Sequence, residues 1–152
     1  MTSIDYDLVF SNFLGNMTDY NLADKSLTEA YGNMTEWLHK VGAKPYFRNL
    51  FTTLTFNDPI QKLTFEMAHP SDEDSDIDFI CELMAKGMVI EWLRPQVNTV
   101  NATMQFFGGS EQKFYSQANH LNELRSLLSD AKTEFAGMIR DRGAIYNSYL
   151  EE

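Results

Sequence analysis

The stretch FFGGSEQKFYSQANHLNELRSLL, residues 106–128, sets Tyr115, His120 and Glu123 within a few helical turns of one another. A phenol, an imidazole and a carboxylate at such spacing could move protons or hold a metal ion. His120 and Glu123 stand three apart and can share one helical face. A di-iron bundle needs two Glu-x-x-His sets with further glutamates on facing helices. Here the order is reversed and only one set exists, while His39 and His69 stand alone in the sequence. The spacing therefore predicts a surface or interface histidine on a structural helix, with no metal.

A second candidate is DEDSDIDFICEL, residues 72–83. Asp72, Asp74, Asp76 and Asp78 take the odd positions that a calcium loop uses. The sixth position is Ile77 where the sharp turn needs glycine. The twelfth is Leu83 where a bidentate glutamate is needed, and Glu82 comes one residue early. The segment reads as a capped helix start instead. Cys81, the single cysteine, lies next to Ile80 on an apolar helix face, where a thiol stays protonated and inert. One cysteine excludes an internal disulfide and fits a reducing compartment. Neither a G-x-S-x-G elbow, a phosphate-cradling loop nor a dinucleotide fingerprint is present. Gly108 and Gly109 read as a hinge between two helices, and Ser110 as the cap of the second. No catalytic residue and no cofactor is expected, and the chain is not read as an enzyme.

The elements that would carry these residues follow from periodicity. Ser3 to about Leu14 reads as a helix, with Ser3 as its cap and Tyr6, Val9, Phe10 and Phe13 on one face. Gly15 to Lys25 is polar and reads as a loop. Ser26 and Glu29 form a capping box before a second helix faced by Leu27, Ala30, Tyr31, Met34, Trp37, Leu38 and Val41. Gly42 is placed to end it in the left-handed conformation, and Pro45 to prevent its resumption. From 50 to 67 the period changes to two. LFTTLTF and IQKLTFEM flank the turn tripeptide NDP, which predicts a β-hairpin. A hairpin alone is marginal in water, so it must pack on the helices or pair with another chain. Ser71 and Asp74 signal the cap of a third helix, apolar on most sides from Ile77 to Leu93 and hence central. Pro95 should kink or break it near Arg94, with the chain continuing helically through Val97 and Val100 until Gly108 and Gly109.

The last helix, about 111–150, carries the most regular pattern. Leu121, Leu124, Leu128, Ala131, Phe135, Met138, Arg142, Ile145 and Tyr149 alternate in steps of three and four, with Arg142 the only charged member. A helix of that length would run ~60 Å, against about 30 Å for a compact domain of this size. Its far end is therefore expected to project, bend, or lie against another molecule. Arg142, Tyr146 and Tyr149 near that end are residue types common at interface hot spots, and are the candidate protein interface.

Composition narrows the function classes. The chain has 152 residues, one domain's length, and its 43% apolar content argues against global disorder. Twenty-two acidic against 12 basic residues give a net charge of −10, which disfavours sequence-independent binding to DNA or RNA. No apolar run approaches ~18 residues, so no membrane span is expected. Met1 to Phe10 carries two aspartates and no basic residue, unlike a secretory signal. Three N-x-T tripeptides, at Asn16, Asn33 and Asn101, carry no weight without one. The expected fold class is mainly α: a single domain over 1–152, a helical bundle with a long C-terminal helix and one small β-hairpin.

The segment from about Phe79 to Tyr149, with GMVIEWLRPQVNTV, KFYSQANHLNELRSLL and IRDRGAIYNSYL, resembles the small helical head–tail connector (adaptor, or neck) proteins of tailed phages. The resemblance covers roughly half the chain and rests on the character of these helices, with no diagnostic motif. It implies a mostly helical protomer with a small β element, self-associating into a ring, commonly of twelve copies, beneath the portal protein. Such a ring passes DNA through its lumen without specific binding and docks other neck or tail proteins in the virion. The family has no catalytic residues to carry over, and the hairpin at 50–67 departs from its pattern. Another class fits the charge: an acidic inhibitor that mimics nucleic acid and occupies a basic protein groove.

Overall fold

The computed structural model describes residues 2–15, 27–106 and 111–145, with side chains described outside 27–30, 99–106, 111–118 and 144–145. The order is β1 (Thr2–Asp5), α1 (Tyr6–Gly15), α2 (Leu27–Gly42), α3 (Pro45–Arg48), β2 (Phe51–Asn57), a 3₁₀ turn (Asp58–Ile60), β3 (Lys62–Met67), α4 (Glu73–Phe106) and α5 (Glu111–Ile145). The fold is mainly α with a small antiparallel sheet, as the periodicities indicate. The expected loop after Gly15, Ser26 of the capping box, the Gly108–Ser110 hinge, Tyr146 and Tyr149 lie outside the described residues.

The hairpin forms, and it gains a strand that periodicity did not reveal. Thr2–Asp5 is strand rather than the first turn of a helix, and it pairs antiparallel with β3, Thr2 opposite Phe65 and Asp5 opposite Lys62. Ser3 therefore caps nothing, and the helix begins at Tyr6. A third strand relieves the marginal stability of an isolated hairpin. In the order β1-β3-β2 the middle strand turns Leu63, Phe65 and Met67 inward, all buried. Burying each stabilises by roughly 1.5–3 kcal/mol. The register opposes Leu54 to Phe65 and Phe56 to Leu63, so β2 adds its apolar side chains to the same face. The turn closes through Gln61, whose φ of 53° is left-handed.

Gly42 departs from expectation in a different way. It remains in α2 without a positive φ. A Cβ there would sit 2.5 Å from the ring tip of Phe56, so glycine lets the hairpin approach closely without displacing that ring. Pro45 opens the short helix α3 at its first turn, where its missing N–H costs nothing.

The cap of α4 is Asp72, not Ser71. The Asp72 carboxylate accepts from the N–H of Ser75 (3.4 Å), and its carbonyl accepts from Asp76. Asp76 in turn accepts from the N–H of Ser71 (3.0 Å). Pro95 does not break the helix, which continues to Phe106. Packing along α5 offsets the backbone bond lost at the proline.

α4 and α5 form a hairpin of equal arms. Asp76 meets Arg142, Lys86 meets Glu134, and Gly87 lies against Phe135, so the helices run antiparallel. At 1.5 Å per residue both arms are about 50 Å long. The seam of α5 is thus covered by α4: Leu121, Leu124, Ala131 and Phe135 are buried, and Leu128 and Met138 half-buried. The length of the helix calls for no second molecule on this face. α4 is central as expected, contacting α1, α2, α5 and β1. Ile80, Leu83, Met84, Met88 and Ile90 are buried within it.

Candidate functional site

The residues singled out for chemistry in the sequence do not come together. His120 and Glu123 are exposed on α5, and the side chain of Tyr115 lies outside those described. Asp72, Asp74 and Asp78 are exposed at the start of α4, whereas Asp76 is turned inward. Among the described residues no group of three metal-ligating side chains is assembled. Cys81 is buried, and burial with the nearby charge of Asp78 pushes its thiol up to about 11, leaving it protonated at neutral pH.

Three polar constellations are formed that linear spacing does not announce. The first ties the hairpin turn to the helices. Tyr6 Oη donates to Asp58 Oδ1 at 2.6 Å, and His39 Nε2 lies 2.9 Å from the same carboxylate. The His39 ring also packs on Phe56 at 4.9 Å. The hydrogen bond from Tyr6 holds the Asp58 carboxyl below its ordinary value; burial opposes this and His39 adds to it. Burial, then the bond to Asp58, raises the Tyr6 phenol above its own. A histidine–carboxylate pair can orient a general base. Here the carboxylate's other partner is a phenol fully enclosed in the core, so the set clamps the hairpin turn to α1 and α2.

The second constellation holds Arg142. Its Nη2 lies 2.5 Å from Asp76 Oδ1 and donates to the carbonyl of His69 at 3.4 Å. The guanidinium stands 4.9 Å over the Phe79 ring. With side-chain exposures of 10% and 6%, this pair is enclosed. Arg142, a candidate interface residue, is therefore bound within its own chain in this structure. The third constellation surrounds Glu91, 7% exposed, with Lys44 Nζ at 3.2 Å and Arg94 Nη1 at 3.5 Å. Lys44 also lies 5.4 Å over the Phe135 ring and so joins α4 and α5 to the α2–α3 corner.

The surfaces left open are of another kind. Both outer strands of the sheet are edges: among the described residues no backbone hydrogen bond leaves β1 or β2 on the side away from β3. β2, FTTLTFN, is seven residues without a charge. Its protection is a bulge at Thr52, where Thr52 Oγ1 donates to the carbonyl of Glu66. On another side, Leu8 of α1 stands 46% exposed between two concavities along α4. Fold and constellations together define a mainly helical protein whose polar clusters fasten elements to one another. No protein-family profile, curated protein or solved structure matches the chain.

Proposed function

We propose that this chain is a non-enzymatic virion structural protein: a head–tail connector that forms a ring beneath a portal protein, extends the DNA channel, and docks neck or tail proteins. The observation carrying the assembly part is the pair of open sheet edges. A protomer with one free edge at β1 and another at β2 can pair head to tail with its neighbours, and a heterologous contact repeated around an axis closes a ring. The resemblance of 79–149 to connector helices supplies the viral context. The net charge of −10 suits a channel, because DNA phosphates repelled by the wall slide instead of sticking.

The mechanism is mechanical. Protomers seat on the portal, align their channel with it, and offer a new face to the next protein. No bond is made or broken. The test is the particle mass of the protein, alone and with a candidate portal protein, by native mass spectrometry and electron microscopy. A closed ring in either sample supports the reading. Thr53→Lys with Thr55→Lys, which set charges on the outer face of β2, should abolish it while leaving the monomer folded. A monomer or dimer that ignores the portal overturns the connector and favours an acidic inhibitor of a nucleic-acid-handling protein.

A further inference from the structure

Two concavities meet at Leu8. One, of about 460 Å³, lies at the corner of β1, α1 and the start of α4, with Ile4, Leu8 and Ile77 in its wall. The other, of about 300 Å³, continues between α1 and α4 past Asn12 to Cys81. Leu8 is the ridge they share, its side chain open to solvent while Tyr6, Val9, Phe10 and Phe13 of the same helix face the core. The rim is of one sign: Asp5 and Asp7 on one side, Asp78 and Glu82 on the other. Lys62 reaches the outer end, 3.7 Å from Asp5, and the Tyr31 hydroxyl donates to Asp7. Among the described residues Asp78 and Glu82 have no ion-pair partner.

An exposed leucine ridge between carboxylate rims selects its occupant by chemistry. A second copy of this chain is a poor fit at this place, because the four rim carboxylates would face a surface with more acidic than basic groups and like charges facing across an interface repel. An amphipathic helix with lysine or arginine beside its apolar face matches both features: leucine-sized side chains enter on either side of Leu8 and cations reach the rim. We propose that the two concavities between α1 and the start of α4, divided by the Leu8 ridge and rimmed by Asp5, Asp7, Asp78 and Glu82, dock a basic amphipathic helical segment of a partner protein. The proposal does not depend on ring formation, which uses backbone edges and is scored by mass.

The probe is a fluorescein-labelled amphipathic helical peptide of leucine and lysine, with a leucine–glutamate peptide of the same length as its counterpart. Fluorescence anisotropy with the full chain should show saturable binding of the lysine peptide alone, weakening as salt rises. Leu8→Ser leaves the charge unchanged, and Asp78→Lys with Glu82→Lys reverses half the rim. Each should weaken binding about tenfold or more, the scale of an interface anchor. Glu123→Lys with Asp130→Lys, exposed on α5, makes the same net charge change elsewhere and should alter affinity less than about twofold. Equal loss in this control would mean plain attraction to an acidic protein and overturn the proposal, as would an unchanged affinity for Leu8→Ser. All variants alter exposed side chains, and their circular dichroism should match the parent's. The masses of the same samples report ring formation separately, so the two readings can fail independently.

Discussion

Arg142 Nη2 meets Asp76 Oδ1 at 2.5 Å across 66 residues of sequence, fastening the C-terminal part of α5 to the first turn of α4. Asp76 also accepts from the N–H of Ser71, so one carboxylate caps the chain entering α4 and binds the arginine leaving α5. Removing one partner of an enclosed pair leaves the other charge stranded, which costs about 3–5 kcal/mol. Arg142→Ala should lose that much in urea unfolding, with part of the loss from contact with Phe79. Arg142→Ala with Asp76→Ala should lose less than the sum of the two single variants. Strict additivity would show that the pair is not coupled.

The Tyr6–Asp58–His39 clamp predicts limits at both ends of the pH scale. The folded-state carboxyl of Asp58 sits below its ordinary 3.8. The stability it contributes is complete above that value and is lost as pH falls through the lower folded value. Tyr6 has the opposite sign. Its phenol is raised above the ordinary 10.0, so the folded state is favoured fully below 10 and loses ground as pH climbs beyond it. Asp58→Asn should therefore flatten the acid limb of the urea midpoint against pH. Tyr6→Phe should flatten the alkaline limb, and it should soften the acid limb as well, since Asp58 loses a donor. Unchanged limbs would remove the clamp from the account of stability.

Gln61 holds a left-handed backbone at the end of the hairpin turn. That conformation costs a side-chain-bearing residue roughly 1–2 kcal/mol. Glycine adopts it freely but loses roughly 0.5–1 kcal/mol more backbone entropy on folding. Gln61→Gly should raise stability by up to about 1 kcal/mol. A clear loss would mean that the Gln61 side chain stabilises the turn.

How far the fold is legible depends on whether its determinants are local. The α5 seam and the β3 alternation are patterns of neighbouring residues, and both elements form where periodicity sets them. Thr2–Asp5 is too short to display a period, and its strand exists because β3 offers an edge; hydrogen bonding to that edge overrides helical spacing at Ser3. Tyr6 and Asp58 stand 52 residues apart, and His39 and Asp58 stand 19 apart. Nothing in the linear order joins them. A lone charge in an apolar seam, such as Arg142, has two readings that sequence treats alike: an external partner, or a distant carboxylate of the same chain. The structure supplies the carboxylate. The seam's length has the same two readings, and from Leu121 to Met138 the cover is α4, whose near-continuous apolar character hid a facing arm of similar length.

Gly87 and Gly42 test how tightly that packing is held. A Cβ at Gly87 would lie 2.7 Å and 2.9 Å from the two Cγ atoms of Val41 and 3.0 Å from the Phe135 ring. Val41 is β-branched and stiff about χ1, and Phe135 is enclosed, so neither yields without moving a helix. At Gly42 the obstacle is the ring tip of Phe56 alone, a half-buried side chain on an edge strand that can swing outward. Gly87→Ala should destabilise by about 1–3 kcal/mol, the range for overpacking a filled core. Gly42→Ala should cost less, because the Phe56 ring can move aside while Val41 and Phe135 cannot; the gain in helix propensity, up to about 1 kcal/mol, is open to both alanines and does not separate them. The effect of Gly42→Ala should concentrate on the hairpin, as faster hydrogen exchange in β2 with α4 unchanged. Gly87→Ala should instead speed exchange in α2, α4 and α5 together. The reverse order of cost would mean that the sheet, and not the α2–α4–α5 junction, is the more rigid part of the core.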